Sequence, residues 1–375
     1  MIKLLDSVHS QILDDFTSHL QSSLQDIVSK VKIESNFCIS HPDYKPLKLP
    51  DQMVERLYQL PSDMQHKHLT QQLSNFLYGI YYNASLRSVL RPDTNSTNYL
   101  LLDQEPENKT FLGVDLEFYE QLHNSNSGTG YFDPGWSVVR QESDGQLAVL
   151  KQELTLHIER SRHLQLADQS AAVGEQVAIK MPQNFVQNGF YMAVGNAGPD
   201  DHRNPDGNSG TVRIYFNLTA EGAVALMANL TRQLNDLFIP FTFKALYNPE
   251  DYVRYDSAVL YFQKSNYLNV LPTLQAIYIE EIAHFKIEVP LFTKQLAPGL
   301  GLAEEPDQKF STQESFGTNR CQIVANGLLD AWLAGDESSE GRINKILQHF
   351  SLLGIDWQRA YLNASSEDIY TPLEV

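Results

Sequence analysis

Three basic side chains stand in strand-like, aromatic surroundings in the second half of the chain: Arg213 in TVRIYF, Lys244 in FTFKAL, and Arg254 ahead of SAVLYF. Arg213 and Tyr215 are two residues apart, so in a strand they point to the same sheet face. A lysine in an apolar strand either reaches out to solvent or is a base awaiting a proton. A guanidinium does not deprotonate, and it holds a phosphate or carboxylate through two parallel hydrogen bonds. The combination suits proton abstraction beside a bound anion. Each residue taken singly also has a plainer explanation, since strand Arg and Lys commonly extend to water and Tyr is an ordinary strand residue. Spacing alone names no function.

Other chemistries find less support. The loop 195–210 is rich in glycine and turn formers, but no Gly-Lys-Ser/Thr follows it and a strand comes next, so it is not a phosphate-binding P-loop. LAPGLGLAEEP has Gly299 and Gly301 without the third glycine of a dinucleotide site. Glu280, Glu281 and His284 have the spacing of ligands on one helix face, yet no second half of a metal site accompanies them. His157 and His163, near Arg160 and Arg162, are secondary candidates for phosphate contact. No Gly-x-Ser-x-Gly elbow occurs, and neither Cys38 nor Cys321 has the local context of a nucleophile.

The elements that position these residues follow from hydrophobic periodicity. Residues 2–31 carry Leu5, Val8, Ile12, Phe16, Leu20, Leu24, Ile27 and Val31 at helical spacing. A turn-rich connector is expected at 40–51, a second helical region at about 52–90, and loop structure at 91–130. From 131 the pattern changes. WSVVRQESDGQLAVL reads as two strands about Asp144-Gly145, and EQVAIKMP, GFYMAVGNA, TVRIYFNL, IPFTFKAL and SAVLYF read as further strands. AEGAVALMANLTRQLNDL, LNVLPTLQAIYIEEIAHF and CQIVANGLLDAWL read as helices. The expectation is an α+β fold: a helical N-terminal region over 1–125, then a mixed domain over 126–375 on a mainly antiparallel sheet.

Composition sets the outer limits. The 375 residues are 42% hydrophobic and 20% charged, as in an ordinary globular protein with a sizeable core. A formal net charge of −18 argues against nucleic-acid or anionic-membrane partners. Two distant cysteines offer no disulfide framework, and a reducing bacterial cytoplasm is the expected compartment. The start, MIKLLDSVHSQILDDF, lacks the pattern of a signal peptide.

The blocks GFYMAVGNA, TVRIYFNLTAEGAVALMANLTRQLN, IPFTFKAL, YVRYDSAVLYF, LAPGLGLAEEP and SFGTNRCQIVANGLLDA, in that order, resemble the Hop A family of type III effector proteins. Similar domains serve as the lyase component of class V lanthipeptide biosynthesis, beside a separate kinase. The likeness spans roughly residues 130–335. A more distant similarity is to the phosphothreonine lyases injected by enteric pathogens. Those share a Lys-x-His strand, a catalytic Lys in a Phe-Lys strand, an Arg, a strand ending in Tyr, and a late Arg. The matching positions here are Arg213 and Tyr215, Lys244, Arg254, Tyr261 and Arg320. The first block departs, with Arg for Lys and Tyr for His, and this leaves the acid open between Tyr215 and His202, with His157 behind them.

What the resemblance implies is a metal-independent β-elimination, in which phosphoserine or phosphothreonine loses phosphate and becomes dehydroalanine or dehydrobutyrine. Lys244 would take the Cα proton, while Arg213, Arg254 and Arg320 would hold the phosphate and Tyr261 would touch phosphate or the developing enolate. Asp256 would orient Arg254. No cofactor is implied. The partners would be a phosphorylated precursor peptide, a kinase and a cyclase. The competing expectation is a non-catalytic module that captures a phosphorylated or acidic peptide, and Lys244 with a competent acid is what separates the two. A third is an interaction protein that works through its N-terminal helices.

Overall fold

The computed structural model describes residues 18–92, 113–199, 210–312 and 314–374. The chain is helical through 18–30 (α1). It then forms a small antiparallel sheet of β1 (Lys32–Glu34), β2 (Cys38–His41) and β3 (Tyr44–Leu47). Helices α2 (Asp51–Tyr58) and α3 (Ser62–Leu77) each start directly after a proline, Pro50 and Pro61. Proline's fixed φ and missing N–H suit that position. α3 runs on into a π-helical turn, Tyr78–Tyr82. In α4 (Leu116–Ser125) the Asp115 carboxylate accepts the Phe118 N–H at 3.0 Å, a helix cap.

A second antiparallel sheet follows, with strand order β6-β5-β4-β7, from β4 (Tyr131–Gln141), β5 (Leu147–Lys151), β6 (Leu154–Ile158) and β7 (Gln176–Met181). The short helix α5 (Arg160–His163) lies between β6 and β7. This sheet has its own small core around Trp136, Val149 and Ile179.

The largest sheet is built from β8 (Asn184–Gln187), β9 (Phe190–Val194), β10 (Thr211–Phe216), β11 (Thr242–Leu246), β12 (Ala258–Gln263), β13 (Lys294–Ala297) and β14 (Leu300–Glu304). Its order is β13-β14-β10-β12-β11-β9-β8, antiparallel throughout. Between strands come α6 (Ala220–Asp236) and α7 (Tyr267–Glu280), and after β14 come α8 (Phe316–Leu333) and α9 (Ser339–Leu352). α6 packs on α7 and β11 along one face. On the other face, Tyr215 meets Tyr82 at the end of α3 and Phe316 at the start of α8. Every residue of β10 is buried, as befits a central strand covered on both sides. The fold is α+β.

Several local expectations change. The expected connector at 40–51 contains the β2–β3 hairpin, because Ile39, His41 and Leu47 are buried against the core. The stretch 91–130 holds α4. LAPGLGLAEEP, set aside above as a dinucleotide site, forms the β13–β14 hairpin. Its Gly299 has φ of +72°, and a Cβ there would stand 2.1 Å from the Lys286 carbonyl oxygen. α7 ends at Glu280, so Glu280, Glu281 and His284 do not share one helix face. One continuous core runs from Leu20 and Leu24 through Phe76 and Phe243 to Tyr370, and the separate core belongs to β4–β7. No helix among the described residues is long and apolar enough to cross a membrane.

The C-terminal segment is strapped down by buried cations. Arg320 donates from Nε to the Ala360 carbonyl at 2.7 Å and from Nη2 to that of Leu362 at 3.0 Å. Lys294 pairs with Asp368 at 2.9 Å and donates to the Tyr370 carbonyl at 2.6 Å. Glu304 accepts from Lys264, Ser366, Tyr370 and the Asn363 N–H.

α8 packs closely on α9 at Gly327, where an added Cβ would lie 2.6 Å from the Ile346 backbone. Backbone atoms cannot swing aside as a side-chain tip can. Gly327→Ala is therefore expected to destabilise the protein by about 1–3 kcal/mol, despite alanine's better helix propensity. The shift of the midpoint in guanidinium denaturation checks it, and a variant as stable as the parent would contradict this packing.

Candidate active site

Strand register brings the candidate residues to one face. Arg213 on β10 lies directly opposite Tyr261 on β12. Thr242 on β11 faces Tyr261 from the other side. Lys244, two residues on, faces Met192 of β9. Period-two alternation then puts Arg213, Tyr261, Thr242, Lys244 and Met192 on a single surface. They line a cleft of about 380 Å³, closed by Phe185 and Gln187 of β8 on one side and by Glu305, Lys309, Glu314 and Ser315 on the other.

Lys244 is held differently from several other lysines in the fold. Lys151, Lys264, Lys294 and Lys309 each pair with a carboxylate. The Lys244 ammonium sits 4.4 Å from the centre of the Phe190 ring and 5.5 Å from that of Tyr261. Aromatic faces attract a cation while leaving its N–H groups unused. Among the described residues Lys244 makes no hydrogen bond and no ion pair.

Arg213 is paired. Its Nε and Nη2 both bond Oε2 of Glu305, while Oε1 of Glu305 accepts from Lys309 at 2.5 Å. Burial pushes the Glu305 carboxyl up, but Arg213 and Lys309 outweigh it and hold the group below its ordinary value. The Arg213 guanidinium also lies 5.1 Å from the Tyr261 ring centre, so Tyr261 has a cation on either hand. The cleft wall beyond Glu305 is the start of α8, where Ser315 Oγ accepts the Thr318 N–H at 3.2 Å. That end of an eighteen-residue helix carries partial positive charge.

Tyr215 shares the face of Arg213, as the spacing predicts, but it does not line the cleft. Its ring packs against Tyr82 and Phe316, its hydroxyl is buried, and burial pushes its pKa well up while the Arg213 guanidinium beside it works the other way. His202 lies outside the described residues. His157 is exposed on β6 beside Glu142, and His163 bonds back to Glu159 in α5; neither lines the cleft.

Of the three arginines, Arg213 lines the cleft and Arg254 and Arg320 do not. Arg254 donates to both oxygens of Asp256 at 2.9 and 3.0 Å, so Asp256 orients it. Asp256 also accepts from Asn83 at 3.2 Å and Tyr78 at 3.3 Å. The Arg254 guanidinium is 5.7 Å from the Phe190 ring centre, so this ring carries both Arg254 and Lys244. Arg320 is 1% exposed, and burial pulls it down to about 10. It binds backbone carbonyls of the C-terminal strap and does not reach the cleft. The expectation that Arg320 grips phosphate therefore gives way to a structural role: three of its donors already have partners in the interior. The alternative of an ion pair with Glu304 or Glu305 is also not formed, since those bond Lys264 and Arg213.

Phe190, Thr242, Glu305 and Lys309 were not legible as site residues. Once LGLAEE is read as a strand, alternation from Ala303, opposite Arg213, places Glu305 on the same face. Among the described residues no cluster of His, Cys, Asp and Glu is arranged to hold a metal ion.

Comparison with known proteins adds the following. No curated protein matches the chain. The effector protein from Pseudomonas syringae pv. tomato strain DC3000 is similar in structure at 16% identity and a TM-score of 0.37, over 66% of this chain and 81% of that one. The effector protein from Pseudomonas syringae pv. syringae strain 61 is similar at 14% identity and a TM-score of 0.38, over 80% of this chain and 98% of that one. Residues 181–362, the stretch that carries every side chain lining the cleft, match the HopA1 effector protein family.

Proposed function

We propose that the cleft binds a phosphorylated serine or threonine side chain of a peptide and eliminates its phosphate. The observation that carries this reading is Lys244: an amine without a carboxylate partner among the described residues, held over two rings in an open cleft beside a guanidinium. The similarity to phosphothreonine lyases supplies the reaction class. In its neutral form the Lys244 amine takes the Cα proton. The electron pair of that C–H bond forms the Cα–Cβ double bond, and the Cβ–O bond breaks with its pair leaving on phosphate. Arg213 and Lys309 stabilise the departing phosphate by charge-assisted hydrogen bonds. Tyr261, between Arg213 and Lys244 and on the cleft wall, is the phenol placed to protonate the leaving oxygen, in place of the buried Tyr215. Arg254 acts at longer range, as a fixed positive charge beside the Phe190 ring.

One observation favours a second reading, capture without chemistry. The acid expected at Tyr215 is buried against aromatic rings, and a phosphopeptide-binding module needs none.

Two measurements follow. Incubated with a phosphoserine peptide, the protein is expected to lower the peptide's mass by one phosphoric acid, the mark of elimination. Loss of a metaphosphate unit would mean hydrolysis. Lys244→Ala is expected to slow the loss by roughly a hundredfold or more while leaving the circular dichroism spectrum unchanged. Peptide bound at unchanged mass would sink the lyase and leave the binding module.

The second concerns Asp256. Burial pushes its carboxyl up, but Arg254 and Asn83 outweigh that and hold it below its ordinary 3.8. A carboxyl depressed in the folded state contributes stability above the unfolded value, and that contribution disappears as pH falls through the folded value. Wild-type stability is thus expected to drop steeply below about pH 4. Asp256→Asn is expected to cost about 3–5 kcal/mol at pH 7, by leaving Arg254 without its counter-charge, and to flatten this acid limb. Thermal unfolding across pH reads both, and parallel curves for the two proteins would refute the assignment.

A further inference from the structure

We propose that Glu305 stands in for the substrate's phosphate, so that the cleft accepts a phosphate dianion and refuses a peptide carboxylate. This rests on the reading of the cleft as a phosphoamino-acid site, and it adds what sets the selectivity. Arg213 is the guanidinium on the cleft wall, and its Nε and Nη2 are already taken by Oε2 of Glu305. An incoming anion therefore meets an occupied cation and has to exchange with Glu305. The exchange has somewhere to put the displaced carboxylate. Lys309 already holds its other oxygen at 2.5 Å, so Glu305 can leave Arg213 without becoming a buried unpaired charge.

The charge change on exchange decides which ligands succeed. Replacing a carboxylate by a carboxylate puts one negative charge where one stood, so the electrostatic gain is small and the desolvation of the newcomer is not offset. Replacing it by phosphate puts nearly two negative charges and three acceptor oxygens beside Arg213, with Lys244 on the far side of Tyr261. Glu305 meets Nε and Nη2 with Oε2 alone, whereas a phosphate can offer each of them its own oxygen. Without Glu305, Arg213 would bind any acidic side chain, and a protein of net charge −18 has many of its own to offer. Glu305 is a specificity-determining residue in this account and takes no part in bond breaking.

Calorimetric titration of the full chain at pH 7.5 tests it with two probes, capped phosphoserine amide and capped glutamate amide. The wild type is expected to prefer phosphoserine by about tenfold or more, the scale of one charge-assisted hydrogen bond. Glu305→Gln is expected to bind glutamate about tenfold tighter and to shrink the preference to a few-fold, because Arg213 no longer has a resident anion. Glu305→Asp, which keeps the charge on a shorter arm, is expected to fall between the two and serves in place of Gln if that variant does not fold. The idea is overturned if Glu305→Gln weakens both probes with the preference kept, which would make Glu305 a mere support for Arg213. It is equally overturned if neither probe binds wild type or variant. Elimination by the same proteins separates the two proposals. A wild type that eliminates phosphate, with selectivity indifferent to position 305, keeps the lyase and loses this role for Glu305. Selectivity that shifts as stated, without any elimination, keeps the role and loses the lyase.

Discussion

A guanidinium in a strand buried along its whole length is tolerated only with a counter-charge beside it, and the pair of Arg213 with Glu305 meets that condition. Much of the rest of the structure serves this pair. β10 must be central for its neighbours to fix Arg213 on one face. β14 must run antiparallel beside it to bring Glu305 into reach, and Lys309 must follow in the next turn to balance the second carboxylate oxygen. The strap that holds β14 from behind, through Glu304 and the Asn363 N–H at 2.9 Å, keeps that strand's end in place.

The cations of the domain fall into distinct physical states. Arg320 is buried and satisfied by carbonyls, so it acts as a clamp. Arg254 is ion-paired and oriented by Asp256. Arg213 is paired but faces a cleft. Lys244 also faces the cleft and rests on aromatic rings. Aromatic support differs from a salt bridge in one respect that matters for ligands: it places an ammonium without a resident carboxylate that an incoming anion would have to displace.

The antiparallel sheet and its helices were largely legible because TVRIYF and SAVLYF alternate and AEGAVALMANLTRQLN has helical periodicity. That Arg213, Lys244 and Tyr261 belong together was implied by the resemblance, and strand order and register put them on one face. What escaped was decided by tertiary partners. LAPGLGLAEEP is rich in glycine and proline, yet Gly299 makes the tight reversal that lets it be two strands. Tyr215 and Arg320 look like site residues by order, but the rings of Tyr82 and Phe316 pack against one and the carbonyls of 360–362 capture the other. No local pattern announces either partner, since each lies more than 35 residues away in sequence.

Glu304 ends β14 and Glu305 follows it, and by alternation the two point to opposite sides, one into the strap and one toward the cleft. Parity along β14 thus couples two unrelated tasks. A single-residue deletion between Leu300 and Glu304 would leave composition and hydrophobicity nearly unchanged while exchanging the two carboxylates, so that both the strap and Arg213 would meet the wrong surroundings at once.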